Sequence, residues 1–175
     1  LVVPDYSEYA YVLSQANTYI GIDVVNGTAS YSVTGQFIMS FQNSSENHPF
    51  FCPMSLSQSV LATTGDYTPM LQPGDQIDPA GTYSWGPYMA FGDQGPWAEG
   101  GNGQIAFRVE NGVGGYNYGF ADVGYDPIAG TLSLNGFAYD NTGAVVTTSP
   151  IPEPSALFLA GAGVVTGLLR RRRKA

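Results

Sequence analysis

Residues 19–41, YIGIDVVNGTASYSVTGQFIMSF, contain the pattern that decides the fold. Apolar and polar residues alternate on both sides of Asn26-Gly27, and such alternation predicts half-buried strands. Asn-Gly favours a two-residue type I′ turn, because both turn positions need a positive φ. In that register Ile22 pairs with Tyr31, which predicts an antiparallel hairpin. The apolar face of its second strand is formed by Tyr31, Val33, Phe37, Met39 and Phe41.

A second block of alternating residues follows later in the chain. QIAFRVE (104–110), YNYGFADVGY (116–125) and TLSLNGFAY (131–139) each alternate, and DPIAG (126–130) has the composition of a turn. In the last segment the apolar positions change face at Gly136, which predicts a β-bulge there. Short strands separated by turns predict an all-β protein. The predicted fold is an antiparallel β-sandwich, with a jelly roll as one form of it.

The other segments are less regular. Residues 5–17 have apolar side chains at helical spacing and a capping-box pattern, which favours a short helix over a strand. Residues 54–62, MSLSQSVLA, predict a strand. Gly and Pro punctuate residues 65–87 and 92–103, so these segments are predicted to be loops with short edge strands.

Charge is divided unevenly along the chain. Residues 1–154 hold all 14 acidic residues but only one basic residue, Arg108, while the other five basic residues lie at 170–174. Such an excess of negative charge repels phosphate backbones, which argues against a nucleic-acid partner. Cys52 is the only cysteine, so no internal disulfide is expected. Residue 1 is Leu, and the numbering is expected to begin after a removed signal peptide.

The composition changes after residue 141. Residues 142–154 have prolines at three of their last five positions and predict a semi-extended spacer. Residues 155–169 carry no charge, and as a helix they would span about 22 Å, less than the roughly 30 Å of a hydrocarbon core. The sequence therefore predicts a sandwich domain at 1–141, a spacer at 142–154, and a single hydrophobic helix with a basic end at 155–175.

The order of features at this end resembles a known bacterial sorting signal. The residues that are similar to the PEP-CTERM signal are Pro152, Glu153, Pro154 and Ser155, the apolar run 156–169, and Arg170, Arg171, Arg172 and Arg173. In the body, residues 95–140 also resemble a segment that recurs in exported β-proteins of this family, with Phe120 where the family has Trp. This second resemblance supports the β architecture and implies no activity.

The resemblance implies a route rather than a reaction. It implies export in a Gram-negative-type bacterium and a transient stop in the inner membrane, where the arginine cluster keeps the basic end cytoplasmic. Exosortase, a membrane transpeptidase-like enzyme, would then remove the apolar run and the basic end. The expected destination is the cell envelope, the cell surface or the extracellular matrix of biofilm-forming cells. A simple membrane anchor is the alternative.

Candidate catalytic residues are few. His48 and Cys52 are the only residues of their types and would suit a nucleophile pair. Both lie in one local segment without a third residue to orient them, so a loop histidine and a buried thiol are expected instead. A glycoside hydrolase needs two carboxyl groups that flank a bond. Candidates for that pair are Asp93, Glu99, Glu110 and Asp122, although most acids of such an acidic body are expected to be solvated surface.

Candidate binding residues lie in the Gly- and Pro-rich loops. Trp85, Tyr88 and Trp97 would suit a polysaccharide, whereas rings that close the ends of the sandwich core are the alternative. Asp75 and Asp78 are candidate calcium ligands, because Ca²⁺ takes oxygen ligands. Their spacing does not match an EF-hand loop, and Asp is common in turns. No other cofactor is expected.

These observations together predict an exported, non-enzymatic β-sandwich of the cell surface or extracellular matrix. A carbohydrate-binding module of the matrix is the main alternative. A secreted glycan hydrolase and an ice-binding protein are further alternatives, the latter without the regular Thr-x-Thr array that such a surface would need.

Overall fold

The structure, a computed structural model, describes residues 11–14, 19–41, 48–63, 66–144 and 146–148. These residues form ten β-strands. The strands are β1 (Tyr11–Ser14), β2 (Ile20–Asp23), β3 (Thr28–Ser30), β4 (Phe37–Phe41), β5 (Pro49–Pro53), β6 (Gln58–Leu61), β7 (Tyr83–Ser84), β8 (Gly101–Glu110), β9 (Tyr116–Asp126) and β10 (Thr131–Asp140).

The strands form two antiparallel sheets, which confirms the all-β prediction for the described residues. The first sheet has the order β1-β10-β9-β8-β6-β7, and the second has the order β3-β2-β4-β5. Strands β2 to β5 stay together in one sheet and β8 to β10 form a meander in the other, which differs from the paired Greek keys of a jelly roll. The helix predicted at 155–169 lies outside the described residues. None of the described ranges contains a helix with the length and apolarity needed to span a bilayer.

One hydrophobic core holds the two sheets face to face. The ring centroid of Phe37 on β4 lies 4.6 Å from that of Phe107 on β8, and the centroid of Phe41 lies 6.3 Å from that of Tyr125 on β9. All four rings are buried. Because aromatic side chains bury large apolar areas, contacts of this kind dominate the free energy that holds two sheets together. The predicted sandwich is present.

The outer face of the first sheet is covered as well. Ala106, Phe120 and Ala138 of the central strands pack against Ile77 of the long loop between β6 and β7. Ile77 is fully buried, although its neighbours in the loop are exposed. The central strands are therefore buried on both faces. This explains the continuous apolar runs in β8 and β9 beside the alternation that predicted them.

Residues 146–148 belong to this cover, which corrects the predicted spacer boundary. Val146 packs in the same cluster as Ile77, and its carbonyl accepts the Ile77 N–H at 3.0 Å. The Thr148 N–H donates to the Asp75 carbonyl at 2.9 Å. Assigning these residues to a spacer that begins at 142 was wrong, because a polar, Pro-rich composition does not reveal pairing with a distant loop.

The hairpin predicted at 19–41 is present, but its predicted register is wrong. Strands β2 and β3 pair Ile22 with Ala29, which leaves a four-residue loop at 24–27. Gly27 has a φ of 69°, whereas Asn26 does not have a positive φ. The Asp23 carboxylate instead accepts the backbone N–H of Asn26 at 3.0 Å and its side-chain amide at 2.8 Å. Asn26 therefore serves as a partner of Asp23 and not as a left-handed turn residue.

The predicted second strand of the hairpin is split in two. Strand β3 ends at Ser30, the chain crosses β2, and β4 pairs with the opposite edge of β2. A Cβ atom on Gly21 would overlap the Thr34 carbonyl oxygen of the crossing segment, so the crossing requires glycine at this position. Tyr31 and Val33, predicted on the apolar face, lie in the crossing segment and are exposed.

The meander agrees closely with the sequence. Its three strands contain the three predicted segments, and residues 127–130 form the predicted turn. On β10, Leu134 pairs with Val123 and Gly136 pairs with Asp122, so Asn135 is the extra residue of a β-bulge. The predicted bulge is confirmed.

The weaker predictions have mixed outcomes. Strand β6 lies within the segment 54–62 that predicted a strand, and β7 is a short strand within a predicted loop. Residues 11–14, however, form β1, which pairs with β10. The helix prediction was wrong for these four residues, because the edge of β10 offers hydrogen bonds that a local pattern does not show.

Candidate functional site

The sorting residues Pro152, Glu153, Pro154, Ser155 and Arg170 to Arg173 lie outside the described residues, but the described chain before them is fixed at Thr148. Thr148 is 1% exposed, and its hydroxyl lies 2.6 Å from the Gln72 carbonyl and 2.9 Å from the Asp75 carbonyl. The Gly74 N–H donates to the Thr148 carbonyl at 2.8 Å. Three residues separate Thr148 from Pro152, so the folded body reaches almost to the sorting motif.

A cleft of about 360 Å³ lies beside β5, at the edge of the second sheet. We call it the Trp85 cleft. The side chains of β5 that contribute to it come from alternate positions on the face opposite the core. Its lining residues are Phe50, Cys52, Asp66, Ser84, Trp85, Gly86 and Tyr88.

Backbone hydrogen bonds fix the segment that carries the aromatic side chains of the Trp85 cleft. The Tyr88 N–H donates to the Asp66 carbonyl at 3.1 Å, and the Tyr88 carbonyl accepts the Thr68 N–H at 2.8 Å. One residue later, the Met89 N–H donates to the Pro49 carbonyl at 3.0 Å. The segment is therefore held between β5 and the 66–68 segment, and the positions of the rings do not depend on a free loop.

The two tryptophans have opposite environments. Trp85 is 56% exposed, whereas Trp97 is 0% exposed and belongs to the core between the sheets. A Cβ atom on Gly103 would lie 3.2 Å from the Trp97 ring, which shows how closely β8 approaches it. Trp97 has no ring face open to a ligand, so the prediction that it binds one was wrong. Trp85 and Tyr88, in contrast, lie together in the cleft.

An aromatic cluster adjoins the cleft. The His48 ring stacks on the Phe91 ring with centroids 4.0 Å apart and an interplanar angle of 9°. Phe91 also meets the Tyr88 ring edge to face, with centroids 5.5 Å apart. Phe91 is 46% exposed, so the aromatic surface extends beyond the cleft. Phe91 and Phe50 were missed in the sequence, where neither stands out from the core phenylalanines.

His48 and Cys52 each have separate structural contacts. Burial raises the pKa of the Cys52 thiol, which disfavours the nucleophilic thiolate. The thiol lies 3.3 Å from the Pro53 carbonyl and 3.4 Å from the Trp85 carbonyl, and the His48 ring packs on Phe91. Since a strand rises about 3.3 Å per residue, their Cα atoms are separated by roughly 13 Å along β5.

The candidate carboxylates are spread along the meander. Glu110 ends β8, whereas Glu99 precedes the other end of the same ten-residue strand. Asp122 lies opposite Gln104, six residues from Glu110, which is about 20 Å at the strand rise. A glycosidase pair is separated by roughly 5–10 Å. Asp93 lies in the loop after Phe91, so the described strands do not bring these acids together as a pair.

The two predicted calcium ligands have hydrogen-bond partners within their own turns. Asp75 accepts the Gln72 N–H at 2.7 Å, and Asp78 accepts the Ala80 N–H at 2.8 Å. In the part of the chain that the structure describes, no three His, Cys, Asp or Glu side chains lie close enough to hold a metal ion. Calcium binding at Asp75 and Asp78 stays a prediction.

Comparison with known proteins identifies one part of the chain. Residues 150–174 match the family model described as PEP-CTERM protein-sorting motif, which confirms the resemblance seen in the sequence. No curated protein and no solved structure matches the chain. The motif implies export, processing by exosortase at the membrane and display at the cell surface. The chain therefore carries a PEP-CTERM protein-sorting motif, and this motif implies an exported protein that is sorted by exosortase.

Proposed function

We propose that the chain is a non-catalytic β-sandwich that is displayed at the cell surface or in the extracellular matrix. The observation that carries this proposal is the position of the sorting motif directly after a folded body. Three residues separate the fixed Thr148 from Pro152, and in extended form they span roughly 10 Å. Processing near the motif would deliver the sandwich itself, with almost no free chain attached.

The chemistry of the body supports a role without catalysis. The Cys52 thiol donates to backbone carbonyls, the His48 ring packs on Phe91, and Asp122 accepts the side-chain amides of Gln104 and Asn135 at 3.3 and 3.0 Å. These groups are spread over both sheets and each has a structural partner. This arrangement suits a domain that binds a ligand or serves as a structural spacer, and it does not suit an enzyme.

The intact mass of the surface fraction tests the route. We expect the mature protein in its native host to lack the apolar run and the basic cluster. Replacing Pro152, Glu153 and Pro154 with alanine should leave the full-length chain in the inner membrane, since the two prolines favour the extended backbone that a protease-like enzyme needs. A Tyr19→Ala variant serves as a control in the body. A surface form that ends at Ala175 would instead indicate a simple anchor.

Two substitutions test the absence of catalysis. His48→Ala and Cys52→Ser should leave the amount of surface protein unchanged and should abolish no turnover, because neither group is poised for reaction. Turnover that is lost in a variant that remains folded would contradict the proposal. Glycan turnover that disappears on substitution of Asp93, Glu99, Glu110 or Asp122 would favour a secreted hydrolase.

The Trp85 cleft favours carbohydrate binding as a second function on the same route. The cleft is lined by the exposed Trp85 and by Asp66, and a displayed protein meets the polysaccharides of the cell surface. Ice binding has no comparable support, because the sequence contains no regular Thr-x-Thr array.

A further inference from the structure

We propose that the Trp85 cleft binds a neutral polysaccharide, with one sugar ring stacked on the Trp85 indole. This inference rests on the proposed function, because display at the surface is what brings the cleft to such a polymer. It is carried by three features of the described residues: an aromatic wall left open, a carboxylate held in an uncommon backbone conformation, and the absence of a free cation from the body.

The open aromatic wall has the shape that a sugar ring needs. A hexose has a face of C–H groups and an edge of hydroxyls, so it requires an apolar ring face with hydrogen-bond acceptors beside it. Trp85 offers the ring face, and half-buried Phe50 and Tyr88 extend it. Asp66 and Ser84, whose side chains carry hydrogen-bonding oxygens, line the same cleft. A volume of about 360 Å³ falls within the range of small-ligand sites, roughly 300–1,000 Å³.

The exposure of Trp85 is not a requirement of the fold. Trp97 shows that this body can bury an indole completely, and tryptophan is on average among the well-buried residues. The Trp85 carbonyl is held by the Cys52 thiol at 3.4 Å, so the residue is fixed in position although its side chain is open. An anchored backbone with an exposed aromatic ring is the arrangement of a preformed binding surface.

Asp66 is held in a conformation that non-glycine residues rarely adopt. Its φ is 64°, and among the described residues it is the one non-glycine with a positive φ. Its N–H donates to the Thr63 carbonyl at 3.2 Å, and its carbonyl accepts the Tyr88 N–H. The backbone is thus fixed on both sides of a residue that lines the cleft. Strained backbone of this kind clusters at ligand sites, where the surroundings hold it in place.

The charge of the body argues against an anionic polymer. Arg108 is the one basic residue among residues 1–154. Its guanidinium lies 4.1 Å from the centroid of the Tyr83 ring and 4.0 Å from that of the Tyr116 ring, and its Nε donates to the Ser59 hydroxyl at 2.8 Å. This cation is part of the first sheet and does not line the Trp85 cleft. A carboxylated or sulfated polymer would meet Asp66 with no cation to offset it.

Affinity electrophoresis of the full chain tests the proposal. The protein is kept in a detergent without a sugar headgroup and run in gels that contain a neutral glucan, an amine-bearing chitosan or a polyuronate. We expect retardation by the neutral glucan and none by the polyuronate. Acrylamide quenching of indole emission provides a second readout, since a bound sugar should protect the exposed Trp85. Retardation by the polyuronate alone, by chitosan alone, or by no polymer would overturn the proposal.

Matched variants connect binding to the cleft. Trp85→Ala should weaken binding at least tenfold, Trp85→Phe should retain part of it, and Asp66→Asn should weaken it about threefold, because asparagine also tolerates the left-handed backbone. Tyr19→Ala, which removes a 41% exposed ring outside the cleft, should bind like the unaltered protein. Equal binding by Trp85→Ala and the unaltered protein would refute the assignment. So would equal loss in Tyr19→Ala.

Two further measurements show whether a loss of binding reflects a folding defect or a display defect instead of a change in the cleft. The urea midpoint of Trp85→Ala should match that of the unaltered protein, because the ring is mostly exposed. Should Trp85→Ala fail to fold, the comparison of Trp85→Phe with Asp66→Asn decides the matter. The amount of Trp85→Ala at the cell surface should be unchanged. Normal display without glycan binding would refute the inference alone, whereas loss of display in the motif variant concerns the proposed function.

Discussion

The meander β8-β9-β10 and the unit β2-β3-β4 are both three antiparallel strands joined in sequence, yet they differ in how the chain connects them. In the meander each strand pairs with the next, and a short turn joins each pair. In the other unit β2 is central, and the chain passes from β3 on one edge to β4 on the other. The first arrangement follows from local pattern, whereas the second depends on a crossing that local pattern does not contain.

Alternation predicts which face a residue occupies, but not its partner. The predicted and the observed pairings of β2 with β3 differ by two residues, and a shift of two keeps every side chain on its face. The apolar pattern is therefore equally satisfied by both registers. Turn chemistry has to decide between them, and here the bond between Asp23 and Asn26 gives a longer loop than Asn-Gly alone predicts.

The largest expected effect on stability comes from adding a side chain where the segment after β3 crosses β2. Gly21→Ala places a Cβ atom against the Thr34 carbonyl, and a backbone oxygen cannot rotate away. We expect a loss of about 3 kcal/mol or more in the free energy of unfolding, at the upper end of overpacking effects. Urea unfolding followed by tryptophan emission measures this loss.

The matched control is the same substitution in the meander. A Cβ atom on Gly124 would lie 2.5 Å from Asn102 Oδ1 and 2.6 Å from Ser133 Oγ, which are ends of side chains that can rotate. Gly124→Ala should therefore cost less than about 1 kcal/mol. Equal losses at Gly21 and Gly124 would show that the crossing is not the constraint described above.

The meander and the crossing unit also show how far the sequence predicts the fold. The three strands of the meander, its turn at 127–130 and the bulge beside Gly136 follow from alternation and composition, because each depends on neighbours in sequence. The pairing of β1 with β10, and the cover of the first sheet by Val146, depend on partners more than 60 residues away. Only the sum of the tertiary contacts selects such partners, so a single sequence does not reveal them.

The next effect tests whether residues 146–148 belong to the body. Thr148→Val keeps the side-chain volume but removes the hydroxyl that lies near the carbonyls of Gln72 and Asp75. Leaving buried acceptors without this donor should cost about 1–3 kcal/mol of unfolding free energy. The same change at the exposed neighbour, Thr147→Val, should leave the urea midpoint nearly unchanged. If both variants unfold alike, residues 146–148 behave as the spacer that the sequence predicted.

The sequence predicts which types of residue form the candidate site, but it does not predict which individual residues lie in it. Trp85 and Trp97 both stand in Gly- and Pro-rich stretches, so their local sequences are alike. One faces solvent beside β5 and the other fills the space between the sheets. Whether a tryptophan ring is buried depends on which strands and loops pack over it in the folded protein. The same reason explains why Phe50 and Asp66 were not recognised as members of the cleft.

A smaller effect distinguishes the two turn geometries directly. A type I′ turn needs positive φ at both Asn26 and Gly27, whereas the observed loop needs it only at Gly27, which has a φ of 69°. Gly27→Val should therefore cost about 1–3 kcal/mol, because a β-branched residue resists that conformation. Asn26→Val should cost less than about 1 kcal/mol, the worth of its exposed bonds to Asp23. Similar losses in the two variants would restore the two-residue turn.

The smallest expected effect is the pH dependence of the same loop. Partial burial raises the pKa of Asp23, but hydrogen bonds from Asn26, Gln36 and Val25 together outweigh it and hold the pKa below its ordinary value of 3.8. A depressed carboxyl pKa contributes stability above the pKa of the unfolded chain, and this stability is lost as the pH falls through the folded value. The urea midpoint of the unaltered protein should therefore approach that of Asp23→Asn between pH 5 and about pH 3. Asp23 is partly exposed to solvent, so the change should be small, and it should appear as a difference between the two proteins at each pH. A gap that stays constant or widens on acidification would mean that the Asp23 carboxylate does not hold the loop, and the four-residue register would then need another cause.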